Sequence, residues 1–235
     1  MSVTFIKPNI KIMLFNINAI NPRLEELKLY IYQNKIDIIL LNEIKMNQER
    51  ANYFLNFPGY ICYDNPRTNS AGGVAIIIKN EINHVQIHDF DNLNLDLETL
   101  AIKVTDKKQD FLIITYYNPE TLSFNFFEKI NVLKIPFILG GDLNACSTTI
   151  GCTYNNRNGS TLENALTTFN YVLLNDYTPT RKDNILDLFI CSPDFFSKAD
   201  DLLVDDISGF DSDHHPVILN IHSDIILEQN IFNPT

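Results

Sequence analysis

The sequence predicts a four-layered α/β sandwich in which two packed mixed β-sheets are flanked by helices. Short apolar runs bounded by turn residues recur along the 235 residues, and their length and β-branched content are typical of strands. The helical stretches between them are few and do not alternate with strands regularly, as a simple doubly wound sheet requires. Two sheets packed face to face, with the helices outside, fit this pattern better.

The predicted strands share a short apolar run that is bounded by polar or turn residues. In chain order they are KIMLFNI, DIILLNE, GGVAIIIK, ETLAIKV, DFLIITYY, PFILGGD, LDLFICS and HPVILNI.

Helices are predicted in three stretches of the sequence. NPRLEELKLYIYQNK has Asn21 as N-cap and Pro22 at the first helical position. STLENALTTF opens with Ser160 and Glu163 in capping-box spacing. SFNFFEKINVL places Phe124 and two further apolar residues on one stripe.

Length and composition predict one globular domain. Hydrophobic residues make up 45% of the chain and charged residues 20%, which is enough apolar material for a sizeable core. We expect a catalytic domain over residues 1–222, and a tail over residues 223–235 that begins a linker. The net charge of -11 argues against a surface that tracks nucleic acid throughout, but permits a local basic rim or carboxylates gathered around a metal.

The four cysteines form no Cys-x-x-Cys pair, which favours reduced thiols in a nuclear or cytoplasmic setting. No secretory leader and no apolar run of membrane-spanning length is evident, so we expect a protein that is not secreted and has no membrane partner.

The informative feature is that several predicted strands end in polar groups that a core strand does not need. Residues two apart on a strand share a face, as Asn16 and Asn18 do in LFNIN. The other ends supply carboxylates, amides, a phenol and an imidazole: Asn42, Glu43, Tyr117, Asn118, Asp142, Asn144, Asp187, Asp213 and His214.

If these strands lie side by side in stacked sheets, their ends converge at one rim. Glu43 with neighbouring Asp or Asn oxygens suits a hard cation such as Mg²⁺, with Mn²⁺ as an alternative. His214 near a carboxylate suits an acid, a base or a donor to phosphate. Taken singly, each Asn or Asp is most simply a turn former or cap; their joint occurrence in order favours metal-assisted phosphodiester cleavage.

These motifs resemble the metal-dependent endonuclease/exonuclease/phosphatase superfamily, which includes pancreatic DNase, abasic-site endonucleases and inositol phosphatases. The matching pieces are LFNIN, LLNE, YNP, GGDLNA, LDLFI and SDHHPV, which span Asn16 to Val217 in the family's order. Flanking phrases such as SAGGVAIIIKN and IPFILGGDLNACSTTIG resemble the endonuclease domain of LINE-type non-LTR retrotransposons of the jockey and I groups.

The resemblance implies a DNase I-like fold and a Mg²⁺-dependent endonuclease that nicks one strand of double-stranded DNA. The nick leaves a 3′-hydroxyl that primes reverse transcription at the target. In a longer protein the partners would be a reverse transcriptase domain and the element RNA.

The resemblance also implies a role for each matching residue. Glu43 and Asn16 would hold the metal, with Asp213 completing the metal or histidine neighbourhood. Asp142 and Asn144 would orient or activate water, Tyr117 and His214 would contact the scissile phosphate, and Asp187 would orient His214. Whether His214 or Asp142 takes the proton of the water stays open at this point. The residues expected to contact DNA are Asn18, Arg67, Thr180, Arg181 and Ser212.

The segment TRKDNILD, from Thr180 to Asp187, is short for a connection that can form a DNA-probing hairpin in this family. We therefore expect relaxed choice of target. The alternatives are an abasic-site repair endonuclease or a phosphatase with the same metal site, and a catalytically dead binding module. The presence of Glu43, Asp142 and His214 argues against the last.

Overall fold

The computed structural model describes residues 3–67, 71–88 and 98–229. Its strands are β1 (Val3–Asn16), β2 (Ile38–Asn42), β3 (Tyr60–Asn65), β4 (Val74–Lys79), β5 (His84–Ile87), β6 (Glu98–Val104), β7 (Phe111–Tyr117), β8 (Phe137–Asp142), β9 (Val172–Leu173), β10 (Asp187–Cys191), β11 (Ala199–Val204) and β12 (Val217–Gln229). Its α-helices are α1 (Leu24–Asn34), α2 (Gln48–Phe54), α3 (Phe124–Leu133) and α4 (Arg157–Phe169). Short 3₁₀ helices lie at Asn21–Arg23, Thr148–Ile150 and Pro193–Lys198.

The strands form two six-stranded mixed sheets. The first sheet has the order β11-β12-β1-β2-β4-β3, and the second has the order β5-β6-β7-β8-β10-β9. The β1–β2 and β7–β8 pairs are parallel, and the remaining neighbours are antiparallel. Both sheets therefore have the mixed character that the sequence predicted.

Alternating side chains of the central strands divide the apolar core into layers, because successive residues of a strand point to opposite faces. Between the sheets, Leu14 and Leu40 of the first sheet join Ile113 and Phe189 of the second in one buried cluster. The outer face of the first sheet packs against α1 in a second cluster, and the outer face of the second sheet packs against α3 and α4 in a third. The result is the predicted four-layered sandwich.

Gly140 allows the two sheets to approach closely at the centre of the sandwich. A Cβ at this position would lie 2.7 Å from Leu40 Cδ1 of the opposite sheet and 2.8 Å from Phe189 Cε1 of the neighbouring strand. Such contacts are closer than packed carbon atoms tolerate, so a side chain here would push the sheets apart.

Each predicted strand is present, but β3, β5, β9 and β11 were not predicted. These are short or edge strands: β3 is only partly buried, and β11 begins with exposed acidic residues. They lack the continuous apolar run from which the other strands were recognised. The helix α2, capped by the Asn47 side chain through Arg50 N, was also not predicted.

The predicted helix caps are corrected by the structure. Asn21 begins a 3₁₀ turn, not α1, and no side chain caps α1. Helix α4 begins at Arg157, and Asn156 caps it by accepting from Gly159 N at 2.7 Å, so Ser160 lies inside the helix. Glu163 does not close a capping box, because its carboxylate accepts from the hydroxyls of Ser147 and Thr149.

The expected domain boundary after residue 222 falls inside β12. This strand continues to Gln229 and pairs with the beginning of β1, where Val3 lies opposite Gln229. Residues 223–229 therefore belong to the first sheet, and the rest of the expected tail, residues 230–235, lies outside the described residues. Within the described parts of the chain, no helix is long and apolar enough to span a bilayer.

Candidate active site

Strand direction and register bring the predicted polar residues to one edge of the sandwich. Asn16 and Asn42 are neighbours at the ends of the parallel strands β1 and β2. In the second sheet, Asp142 at the end of β8 lies opposite Asp187 at the start of the antiparallel strand β10. Tyr117 ends β7, which runs parallel to β8 and therefore delivers its side chain to the same edge.

Glu43 lies at this edge, surrounded by hydrogen-bond donors. Its Oε1 accepts from Asn16 Nδ2 and Tyr117 Oη, both at 2.9 Å, and Lys45 Nζ lies 2.6 Å from Oε2. Burial by itself raises the pKa of the Glu43 carboxyl, but these donors outweigh burial and hold the pKa below its usual value. Glu43 is therefore ionised at neutral pH.

Tyr117 remains protonated in this surrounding. Burial, followed by the negative charge of Glu43, raises the pKa of the phenol far above its ordinary value. Its hydroxyl is therefore available as a donor.

Asn16 joins the two sheets at the site. Its Nδ2 also donates to Asp142 Oδ2 at 2.8 Å, so one amide links a carboxylate of the first sheet to one of the second. Asn16 Oδ1 accepts from Asn18 N at 3.1 Å, which fixes the orientation of the amide. Asn16, Glu43 and Asp142 thus form one continuous polar group.

Asp142, Asp187 and His214 form the most buried part of the site. His214 Nδ1 donates to Asp187 Oδ2 at 2.7 Å, and His214 Nε2 lies 3.8 Å from Asp142 Oδ2. All three residues are buried, with exposed fractions of 3% or less. Such a dry setting strengthens the interaction between opposite charges.

The charges in this group change the pKa values of its members. Burial lowers the pKa of His214, but the charge and hydrogen bond of Asp187 outweigh burial and raise it to about 9. Burial and the neighbouring Asp187 carboxylate raise the pKa of Asp142 to about 7. His214 is therefore an imidazolium at neutral pH, while the pKa of Asp142 is held well above that of an ordinary carboxyl.

Asn144 is fixed just beyond Asp142 by its own backbone and by a neighbouring loop. Its N donates to Asp142 Oδ1 at 3.1 Å, and its Nδ2 donates to Asn118 O at 2.9 Å. Its carbonyl accepts from Asn156 Nδ2 at 2.8 Å, and the residue adopts a positive φ of 46°. Asn tolerates this left-handed conformation better than most residues do.

Asp213 lies at the exposed border of the site, away from Glu43. Its Oδ2 accepts from Arg181 Nε at 2.8 Å and lies 2.6 Å from Arg181 Nη2, while Asn18 Nδ2 is 3.4 Å from Oδ1. Burial raises the pKa of Asp213, but the Arg181 guanidinium outweighs it and holds the pKa below its usual value. The structure therefore places Asp213 in an ion pair with Arg181.

Several acidic and amide oxygens at this edge fit a hard divalent cation. Among the described residues, Asp142, Asp187 and His214 offer ligand atoms within 4.8 Å of one another. Asp187 Oδ1 is buried and has no hydrogen-bond partner, and Glu43 lies one amide away from Asp142. Oxygen ligands of this kind are preferred by Mg²⁺ and Mn²⁺.

Two residues that were expected to contact DNA make hydrogen bonds to the protein backbone. Thr180 is fully buried, and its Oγ1 accepts from the backbone N–H groups of Leu186 and Asp187, each at 3.0 Å, so this hydroxyl does not reach the surface. Ser212 is half-buried; its Oγ donates to Asn16 O at 2.9 Å and accepts from His214 N at 3.3 Å. Both hydroxyls therefore hold the backbone of catalytic candidates in place.

Asn18, Arg67 and Arg181 lie on the exposed rim, although each has protein partners. Asn18 Oδ1 accepts from Lys45 Nζ at 2.5 Å. Arg67 Nε lies 3.0 Å from Glu98 Oε1, and the same carboxylate accepts from Gly73 N. The structure thus leaves these side chains partly accessible beside the site.

Asn42 is fully buried and has a role at the site that was not predicted from the sequence. Asn42 Nδ2 donates to Thr115 Oγ1 at 3.1 Å, and its Oδ1 accepts from Asp142 N at 2.7 Å. It therefore fixes the backbone of Asp142 across the two sheets. Lys45 and Glu98 were also missed. Lys45 had the signal of its position two residues after Glu43, whereas Glu98 lies beside Gly73 only in the folded structure.

Fold and site together define a class of hydrolases that act on phosphate esters at the edge of a two-sheet sandwich. The chain belongs to the Endonuclease/Exonuclease/phosphatase family, whose family model matches residues 13–214.

Curated relatives include two Drosophila melanogaster proteins. The "Probable RNA-directed DNA polymerase from transposon BS" is 25% identical over 222 residues, and the "RNA-directed DNA polymerase from mobile element jockey" is 26% identical over 234 residues. Each alignment covers 92% of this chain but 24% of the relative, so the chain spans about a quarter of their length.

Solved structures share the fold at low sequence identity. The "Endonuclease domain of TRAS1, a telomere-specific non-LTR retrotransposon" has a TM-score of 0.75 at 20% identity, covering 92% of this chain and 99% of that one. An AP endonuclease from Leishmania major has a TM-score of 0.73 at 14% identity, covering 92% of this chain and 88% of that one.

Proposed function

We propose that this chain is a Mg²⁺-dependent DNA endonuclease that cuts one strand of a duplex and leaves a 3′-hydroxyl. The observation that supports this most directly is the buried Asp142–Asp187–His214 group beside the Glu43 carboxylate. It combines an oxygen-rich cation site, a charged imidazole and a carboxylate of raised pKa at one edge of the fold.

Glu43 would hold the cation together with the Asn16 amide. In the structure Asn16 Nδ2 donates to the carboxylates of Glu43 and Asp142. For Asn16 to bind the cation, its amide would have to rotate and present Oδ1. A bound Mg²⁺ would supply positive charge that offsets the charge developing on the phosphoryl oxygens.

Asp142 is the better candidate for the base that takes the proton of the attacking water. Its raised pKa lies near neutral pH, where a carboxylate is both available and basic enough to accept a proton. Asn144, fixed by its bonds to Asp142 and Asn118, would orient that water. The oxygen of the water bonds to phosphorus while the P–O3′ bond breaks, and the leaving O3′ takes a proton from solvent, which gives a 5′-phosphate and a 3′-hydroxyl.

His214 would donate to a phosphoryl oxygen and stabilise its negative charge. The imidazolium is held by Asp187 through Nδ1, so Nε2–H remains directed toward Asp142 and the substrate position. Tyr117, which keeps its proton, would donate to the same phosphate. We therefore propose Asp142 as the base and His214 as the donor.

The similarity to RNA-directed DNA polymerases of mobile elements supports a role in target-primed reverse transcription. The chain corresponds to about a quarter of those proteins. A reverse transcriptase domain and element RNA are therefore the proposed partners in a longer protein. Nuclear DNA is the proposed substrate, and the proposed location of the protein is the nucleus or the cytoplasm.

The experiment is conversion of supercoiled plasmid to open circle, with Mg²⁺ and with EDTA. His214→Ala is expected to abolish nicking without unfolding the protein, while His222→Ala, which changes an exposed histidine of β12, keeps it. Glu43→Gln should raise the Mg²⁺ concentration that gives the half-maximal rate. Extension of the nicks by a DNA polymerase tests for the 3′-hydroxyl.

Full nicking by His214→Ala, or an unchanged Mg²⁺ titration for Glu43→Gln, would contradict the assigned roles. If the folded wild-type protein does not nick plasmid, abasic duplex DNA and inositol phosphates become the substrates to test. Activity on either of those would replace the proposed function with repair or phosphatase activity.

A further inference from the structure

Two exposed tyrosines, Tyr154 and Tyr177, stand beside the candidate active site and have no role in the chemistry above. Their exposed fractions are 51% and 76%. Tyr154 lies in the segment that follows Asp142, and Tyr177 lies in the connection from β9 to β10, which leads into Asp187. Because β8 ends and β10 begins at the same edge of the second sheet, both tyrosines emerge at the edge that holds the site.

Tyr154 is attached to the loop that positions Asn144. The neighbouring Cys146 thiol raises the pKa of the Tyr154 hydroxyl and the charge of Arg181 lowers it, so both groups lie near this hydroxyl. The preceding residue, Thr153, donates from N and Oγ1 to Asn184 Oδ1, each at 2.9 Å. The base of the tyrosine is therefore fixed while half of the side chain remains in solvent.

Tyr177 packs at its base against the same loop. A Cβ built on Gly151 would lie 3.0 Å from Tyr177 Cδ1 and 2.6 Å from Ile185 Cδ1, so the tyrosine and Ile185 both lie against this glycine. Gly151 has a φ of +95°, which glycine adopts without strain. The two tyrosines thus lie on adjoining loops that are linked through Gly151 and through the Thr153–Asn184 hydrogen bonds.

Single exposed aromatic residues are ordinary on protein surfaces. This pair differs because both rings share one set of anchoring loops with the site and with Arg181. The net charge of -11 also weakens the attraction between the chain as a whole and the phosphates of DNA, so contacts that need no charge are useful here. Aromatic rings bind nucleic acid without charge, by stacking on bases or sugars.

We propose that Tyr154 and Tyr177 form a stacking surface for the DNA strand that flanks the scissile phosphate, on the Arg181 side of the site. This inference rests on the proposed function, and it identifies the Tyr154–Tyr177 surface as part of the region that binds the duplex. It assigns binding to ring contacts and leaves the phosphate chemistry to His214 and Asp142.

The test compares Tyr154→Ala, Tyr177→Ala and the double variant with wild type. We expect each alanine variant to raise KM for nicking of a defined duplex by about 5-fold or more, the lower end for loss of one stacked ring. The effect on kcat should be much smaller. Tyr177→Phe keeps the ring and should therefore have the KM of wild type. If Tyr177 acted only by holding the loop through its hydroxyl, this variant would raise KM as the alanine variant does.

The matched control is Tyr32→Ala. Tyr32 is 82% exposed but lies in the last turn of α1, which leads to the start of β2 at the opposite edge of the first sheet. This variant should keep wild-type KM. Thermal unfolding of every variant separates a binding defect from a folding defect.

Equilibrium binding of a fluorescein-labelled duplex in EDTA distinguishes this inference from the proposed function. Weaker duplex binding by the double variant would support the stacking surface even if wild type fails to nick. Equal binding or equal KM for the double variant and wild type would overturn it, as would an equal loss in Tyr32→Ala. A wild-type protein that neither binds nor nicks duplex DNA would overturn both.

Discussion

Replacing Asn42 with leucine removes the buried amide that links Asp142 to the first sheet. The variant loses the acceptor for Asp142 N at 2.7 Å and the donor to Thr115 Oγ1 at 3.1 Å. A buried N–H that loses its partner costs roughly 1–3 kcal/mol, and the lost hydrogen bond to a hydroxyl costs about 1 kcal/mol. The free energy of unfolding should therefore fall by about 2–4 kcal/mol.

Urea unfolding followed by circular dichroism measures this loss. For a chain of this length a loss of that size corresponds to a melting temperature lower by roughly 5–15 °C. The nicking rate at a temperature where the variant is folded should also fall, because Asp142 is no longer fixed. Thr115→Val is the matched control: it leaves the bond to Asp142 N in place and removes only the acceptor of Asn42 Nδ2, which should cost about 1–3 kcal/mol and leave the nicking rate near that of wild type.

The double variant Asn42→Leu/Thr115→Val refines the test. Once Asn42 is absent, Thr115→Val should cost less than it does alone, because the bond it would break is already gone. A urea midpoint and a nicking rate equal to those of wild type in Asn42→Leu would refute the reasoning.

Two further predictions concern stability away from the catalytic groups. Gly140→Ala should destabilise the protein by about 1–3 kcal/mol, because its Cβ would meet Leu40 Cδ1 and Phe189 Cε1 at under 3 Å; an unchanged urea midpoint would show that the sheets can separate freely. Burial raises the pKa of Asp106, but its bond from Lys198 and those from backbone amides outweigh burial and hold the pKa below its usual value. Its stabilising effect is therefore present above about pH 4, near the pKa of Asp in the unfolded chain, and is lost as the pH falls through the lower pKa that Asp106 has in the folded protein. Asp106→Asn should flatten the acid-side fall in melting temperature and leave nicking intact, whereas acid profiles that superimpose would contradict this account.

The sequence predicted the central strands because they are continuous apolar runs that end in polar residues. The same pattern identified Glu43, Asp142, Asp187 and His214, and the structure brings them to one edge. Edge strands such as β11 have exposed acidic residues in place of an apolar run, so the periodicity that reveals a buried strand is absent from them.

Roles that depend on long-range contacts were harder to predict. Asn42 follows an apolar strand and has the appearance of an ordinary turn former, yet its partners are 73 and 100 residues away in the chain. Thr180 was expected to contact DNA, but packing buries it under the start of β10. Ser160 and Asn156 are both acceptable helix caps locally; Asn156 is selected because its Oδ1 also accepts from Cys146 N at 3.0 Å.

The division of the polar groups between the two sheets has a consequence for how the molecule can fail. Asn16 and Glu43 come from the first sheet, and Asp142 and Asp187 come from the second. Neither sheet alone therefore has all the groups of the site. A slippage of one sheet over the other by a fraction of a residue would separate the carboxylates while both hydrogen-bond ladders stayed intact. The nicking rate should therefore respond to small changes in the alignment of the two sheets that leave the secondary structure content unchanged.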